Sequence, residues 1–172
     1  MLSPYILRGR PAMLQGYCLG LLLATLLPLR AAATGTEQPE PPPLPADYCR
    51  WEMVEYGIPR PLCDLTGNAA RGRDIVSDSH LGNCLACHRL PIAGIEAYGT
   101  IGPPLAGIGA RLDAAQIRLR VVDSRHLNPM SIMPGYYRDP RLIHRPGKQY
   151  IGRTFLTAQQ VEDVIAYLVT LE

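Results

Sequence analysis

Apolar positions recur at helical spacing in three stretches of the chain. Near the C-terminal end, Val161, Val164, Ile165, Leu168 and Val169 follow Thr157-Ala158-Gln159-Gln160, where a Thr and a Gln three residues on have capping-box spacing. This predicts an amphipathic helix whose stripe is core packing rather than a binding site. A second capping-box spacing, Asp113-Ala114-Ala115-Gln116, opens a segment through Val122. Gly67 to Val76 contains the helix-forming run Ala69-Ala70-Arg71. These segments predict a small all-α domain over residues 67–172.

The pattern breaks down toward the other end. Tyr17 to Leu29 is a 13-residue apolar run preceded by Arg8 and Arg10 and followed by Ala31-Ala32-Ala33. The run is short of the roughly 20 residues a membrane span needs, and the small residues suit a signal peptidase. Residues 1–33 are therefore expected to be a secretory signal cleaved near Ala33, with Cys18 discarded with it and no membrane association of the mature chain. Residues 34–46 hold five prolines and no apolar periodicity, the composition of an extended linker. Residues 47–66 differ, because Trp51, Met53, Tyr56, Ile58 and Leu62 lie between Cys49 and Cys63. This extension is expected to pack on the main domain. In an oxidising compartment an intrachain disulfide between the two cysteines closes a loop worth about 3 kcal/mol in the chain-entropy model. The alternatives are a bridge to a partner chain or an inert buried thiol.

Charge narrows the function classes. The 172 residues carry 17 Lys+Arg and 15 Asp+Glu, a formal net charge of +2. Three of the basic residues lie in 1–33, so 14 basic face 15 acidic side chains beyond it. A nucleic-acid footprint is absent. One Phe and one Trp leave little aromatic bulk for a core, so another body is expected to fill the centre.

Cys84-Leu85-Ala86-Cys87-His88 supplies that body. C-x-x-C-H is the spacing at which two thiols reach the vinyl groups of one haem while the next His reaches the iron. A zinc site would need two further ligands nearby, and no second C-x-x-C exists. A thioredoxin-type pair would need a βαβ pattern. One covalent haem c is therefore expected, with His88 as axial ligand. For the sixth position Met133 is favoured, because Asn128-Pro129-Met130-Ser131-Ile132-Met133-Pro134-Gly135 is a loop stiffened by two prolines and a glycine. Met130, His126 and His144 remain alternatives, with Met130 read as a packing residue and His80, His126 and His144 as surface residues. In Ile101-Gly102-Pro103-Pro104-Leu105-Ala106-Gly107, Pro103 offers a carbonyl without an amide proton, suited to accept from His88 Nδ1 and leave Nε2 for iron. An ordinary rigid turn is the other reading of that segment.

Met–Pro in such a loop and the G-P-x-L-x-G segment resemble class I cytochromes c. The chain further resembles the SoxX family, the small monohaem subunits of the cytochrome pair in bacterial thiosulfate oxidation. That likeness runs through Gly82-Asn83-Cys84-Leu85-Ala86-Cys87-His88, Gly102-Pro103-Pro104-Leu105, Arg120-Val121-Val122-Asp123, and Asn128-Pro129 with Met133-Pro134-Gly135-Tyr136-Tyr137. It continues through Leu156-Thr157-Ala158-Gln159-Gln160-Val161-Glu162-Asp163-Val164-Ile165-Ala166-Tyr167-Leu168. Residues 47–66 lie outside it.

The resemblance implies a periplasmic protein paired with a larger SoxA-type subunit, a sulfur-carrier protein and a small c-type cytochrome as electron acceptor. It implies an L-cysteine S-thiosulfotransferase whose catalytic centre is in the larger subunit, with no catalytic residue here. A free-standing respiratory shuttle and a haem-based ligand sensor are the other classes. Tyr136 and Tyr137 are expected either at the partner interface or packed under the methionine loop.

Overall fold

A computed structural model describes residues 43–172 of the protein. The expected signal segment 1–33, with Cys18, and residues 34–42 of the proline-rich stretch lie outside the described residues. Four α-helices are found among those described: α1 (Ala69–Ser77), α2 (Ile108–Arg111), α3 (Ala114–Asp123) and α4 (Ala158–Leu168). The only β pairing among them is an isolated bridge between Val54 and Gly57, so the fold is all-α, as the periodicity predicts. No helix among the described residues is long and apolar enough to cross a membrane.

Each long helix starts where its sequence offers a cap. Asn68 accepts from the Arg71 N–H ahead of α1. Both capping boxes close reciprocally, Asp113 with Gln116 on α3 and Thr157 with Gln160 on α4, which satisfies backbone donors that a helix start leaves open. The apolar stripe of α4 is buried: Val161, Val164 and Ile165 are at most 2% exposed. At about 1.5–3 kcal/mol for each fully buried side chain of this size, that stripe does more for the helix than its propensity.

α4 is the central element, with α1 crossing it and α3 alongside. The α1 crossing is close because Gly72 has no side chain, and a Cβ there would collide with the Asp163 carbonyl of α4. Asp163 fastens the same crossing. Its carboxylate, 2% exposed, accepts from the Asn68 N–H at 2.7 Å, from Arg71 Nε at 2.7 Å and from Gln159 at 3.0 Å. Burial works to raise this carboxyl, yet Arg71, the Asn68 N–H and Gln159 outweigh it and hold it below the ordinary carboxylate value.

The extension packs against α3 and α4. Its Ile58 N–H donates to the Ala115 carbonyl at 3.0 Å, and Ile58 and Leu62 are each 1% exposed. Underneath lies a buried ion pair in which Arg118 Nε donates to Glu162 Oε1 at 2.8 Å and Nη2 to Oε2 at 2.9 Å. The remaining hydrogen-bond capacity of the pair goes to the extension: Arg118 Nη1 donates to the Ile58 carbonyl and Glu162 Oε1 accepts from the Leu62 N–H. A buried pair is tolerable when its lone pairs and protons are satisfied in this way. Cys49 and Cys63 are joined by a disulfide, their Cα atoms 5.4 Å apart.

Candidate haem-binding site

The C-x-x-C-H segment is a tight turn beside the C-terminal end of α1. Gly82 N–H donates to the Ile75 carbonyl at 3.1 Å, and Asn83 in the left-handed region starts the 3-10 turn Cys84–Ala86. His88 N–H returns to the Cys84 carbonyl at 2.8 Å, which gathers both thiols and the imidazole into one turn. Burial pushes the Cys84 thiol up to about 11, so the unmodified side chain is neutral at pH 7.

A second strand of chain runs along this turn. Gly99, Gly102 and Leu105 N–H groups donate to the Leu85, Cys87 and Arg89 carbonyls at 2.7, 2.8 and 2.9 Å. This register brings the Pro103 carbonyl 2.7 Å from His88 Nδ1. Because a carbonyl only accepts, the proton sits on Nδ1 and Nε2 keeps its lone pair. Gly102 lies flat on the imidazole, and a Cβ there would overlap the ring atoms. Pro103 is legible in the sequence as an acceptor, whereas the role of Gly102 is marked there only by its place next to that proline.

Cys84, Cys87, His88, Gly102 and Pro103 line one side of a cavity of about 680 Å³, within the usual range for a cofactor site. The rest of the wall is largely apolar, with Leu105, Ile117, Val121, Leu127, Leu156, Val164 and Leu168 drawn from α3, α4 and the loops between. Two thiols, one imidazole with a free Nε2 and an apolar wall fit a covalently held haem. They do not fit a bare ion, and no cluster of three or more His, Cys, Asp or Glu side chains among the described residues could hold one.

Of the candidates for the sixth position, Met133 and Met130 both line the cavity, but Met133 is half-buried whereas Met130 is 84% exposed. His126 and His144 do not line it. His126 stands outside, its ring edge-on to Trp51 at 5.1 Å. The methionine loop is closed at its base: Tyr136 and Tyr137 N–H groups donate to the Val121 and Val122 carbonyls at 3.1 and 3.2 Å, and Arg138 Nε lies 3.4 Å from Asp123 Oδ2.

The two tyrosines are packing residues rather than an interface. Tyr136 is 9% and Tyr137 2% exposed, and burial pushes both phenols up. Tyr136 Oη donates to the Gly82 carbonyl at 2.6 Å, tying the methionine loop to the haem-motif turn. Sequence reasoning had no signal for that link beyond the spacing Met-Pro-Gly-Tyr.

A family model described as Cytochrome c matches residues 69–172. Among solved structures, the chain is similar to one chain of the crystal structure of SoxXA from P. pantotrophus, with a TM-score of 0.63 and 37% identity over 70% of this chain and 93% of that one. No curated protein matches the chain.

Proposed function

This chain belongs to the cytochrome c family, within which it is of SoxX type, and from that premise we propose that it is the electron-relaying subunit of a periplasmic, two-chain L-cysteine S-thiosulfotransferase. The reaction joins thiosulfate to a cysteine of a carrier protein. One S–S bond forms, the thiol proton goes to solvent, and two electrons leave through c-type haems.

Cys84 and Cys87 would hold one haem covalently, and His88 and Met133 would be its iron ligands. A bound haem supplies reversible one-electron storage at its iron. The chain's own residues prepare for this. The Pro103 carbonyl holds His88 by its Nδ1 side and leaves Nε2 for the iron. Gly102 sets the ring's orientation by contact. The apolar wall excludes water, and a thioether opposite an imidazole favours a higher potential than a second histidine would.

The observation that carries the reading is the 37% identity over 93% of a SoxXA chain. The assignment of catalysis to the partner is supported by the cysteine inventory. Among the described residues the four cysteines are the disulfide pair Cys49 and Cys63 and the haem-motif pair Cys84 and Cys87, so none is left to carry a sulfur intermediate. The partner is a larger SoxA-type cytochrome, and a small c-type cytochrome takes the electrons onward.

Stopped-flow spectroscopy tests this. Thiosulfate plus carrier protein reduces the haem of this chain only when the larger subunit is added. Reduction of the isolated chain at the rate of the full mixture would overturn the assignment, and elution of the native protein without a partner would favour a free-standing shuttle.

A further inference from the structure

Residues 47–63 touch the residues that flank the methionine loop on both sides, His126 and Tyr137. At the far end, Tyr137 is held three ways: its ring stacks on Tyr48 with centroids 4.9 Å apart and planes within 6°, and its Oη accepts from the Cys49 N–H at 2.7 Å and donates to the Asp47 carbonyl at 3.5 Å. At the near end, Trp51 meets the ring of His126. Ile58 and Leu62 are bonded to Arg118 and Glu162 in the buried pair between α3 and α4. The Cys49–Cys63 disulfide joins these two halves, so a segment that grips the loop is bolted to the helices that form the cavity wall.

A thioether is a weak ligand, and how long it stays on iron depends on how little the loop carrying it can move. Nothing in the grip touches the cavity: Tyr48, Cys49, Trp51 and Tyr137 are absent from its lining. The grip therefore acts on the site through the loop and through the loop's attachment to α3 at Val122. We propose that the disulfide-closed extension is a clamp that keeps Met133 on the haem iron, with Tyr137 as its positioning residue. The proposal rests on the reading of Met133 as the sixth ligand.

The clamp predicts that an outside ligand competing with Met133 binds more tightly when the clamp is opened, because such a ligand binds only the fraction of molecules whose methionine is off. The test uses the full haem-loaded ferric chain titrated with imidazole. Cys49→Ser/Cys63→Ser is expected to lower the apparent imidazole Kd about tenfold, and Tyr137→Phe, which deletes the Oη hydrogen bonds to the Cys49 N–H and the Asp47 carbonyl, about fivefold. Both should weaken the methionine–iron charge-transfer band. Tyr137→Phe keeps the ring and serves if the cysteine variant fails to fold. Val161→Ala, which truncates a core side chain of α4 outside the cavity wall, should lower the melting temperature while leaving the imidazole Kd unchanged.

Unchanged imidazole affinity in both clamp variants, with Met133→Ala abolishing the charge-transfer band, would overturn the clamp alone. A Met133→Ala chain with an unaltered spectrum would overturn the ligand assignment and the clamp with it. If Val161→Ala shifts the affinity as much as the clamp variants do, the effect is general loosening of the fold and the clamp is overturned.

Discussion

At His88 two neighbours act on one ring. The Pro103 carbonyl accepts a hydrogen bond from Nδ1–H and the bare backbone of Gly102 lies against the imidazole face. Gly102→Ala puts a methyl group where the ring is, an overpacking error of about 1–3 kcal/mol that the ring can relieve only by turning away from the iron. The expected outcome is a lower yield of covalently loaded, low-spin protein, read by pyridine haemochrome assay and absorption spectra. The two methionines differ as sharply. Met133→Ala should expose the iron and let carbon monoxide bind the reduced protein readily, whereas Met130→Ala, at a residue 84% exposed, should leave the spectrum nearly unchanged. Loss of the low-spin spectrum in His126→Ala alone would mean that the axial pair is wrong.

Between elements, polar groups rather than apolar ones fix how the pieces meet. Arg118→Met leaves Glu162 as an uncompensated buried charge and should cost about 3–5 kcal/mol in chemical unfolding. Replacing Glu162 by Met as well should not restore the native value, because the Ile58 carbonyl and Leu62 N–H then lose their partners, at about 1–3 kcal/mol for each orphaned group. The α1–α4 crossing has a pH signature. The Asp163 carboxyl has a folded-state pKa below its unfolded one, so its contribution is fully present above the unfolded value of about 3.9 and is lost as pH falls through the depressed folded value. Acid unfolding of Asp163→Asn should therefore show a shallower pH dependence below about pH 4 than the parent chain.

The whole molecule is expected to be exported and then assembled. Intact-mass measurement of the protein from its native host should give a chain starting near Thr34 with one covalent haem, and non-reducing peptide mapping should recover Cys49 and Cys63 as one linked pair. A mass that retains residues 1–33, or lacks one haem, would sink that outcome. The near balance of 14 basic and 15 acidic side chains beyond residue 33 argues against long-range steering as the basis of docking. Association with the larger subunit should accordingly lose little affinity between low and moderate salt, measurable by surface plasmon resonance.

The sequence alone determined what depends on short spacing. Helix starts were legible because a capping box needs only two residues three apart, and α3 and α4 begin where Asp113 and Thr157 stand. The thiols and imidazole of Cys84, Cys87 and His88 were legible because one tight turn brings them together. What only the tertiary structure decided depends on residues far apart in the chain. Neither Arg118 nor Glu162 carries a mark of burial, and each is tolerated inside because the other, 44 positions away, neutralises it. Tyr136 and Tyr137 could face a partner or the core until Gly82 and Cys49, 54 and 88 positions away, supply their hydrogen-bond partners. His126 stands just before the loop that carries Met133, and the fold turns one toward Trp51 and the other into the cavity wall. Local order follows from backbone capping and short loops, whereas which side chain faces the cavity is settled by how α1, α3 and α4 enclose it.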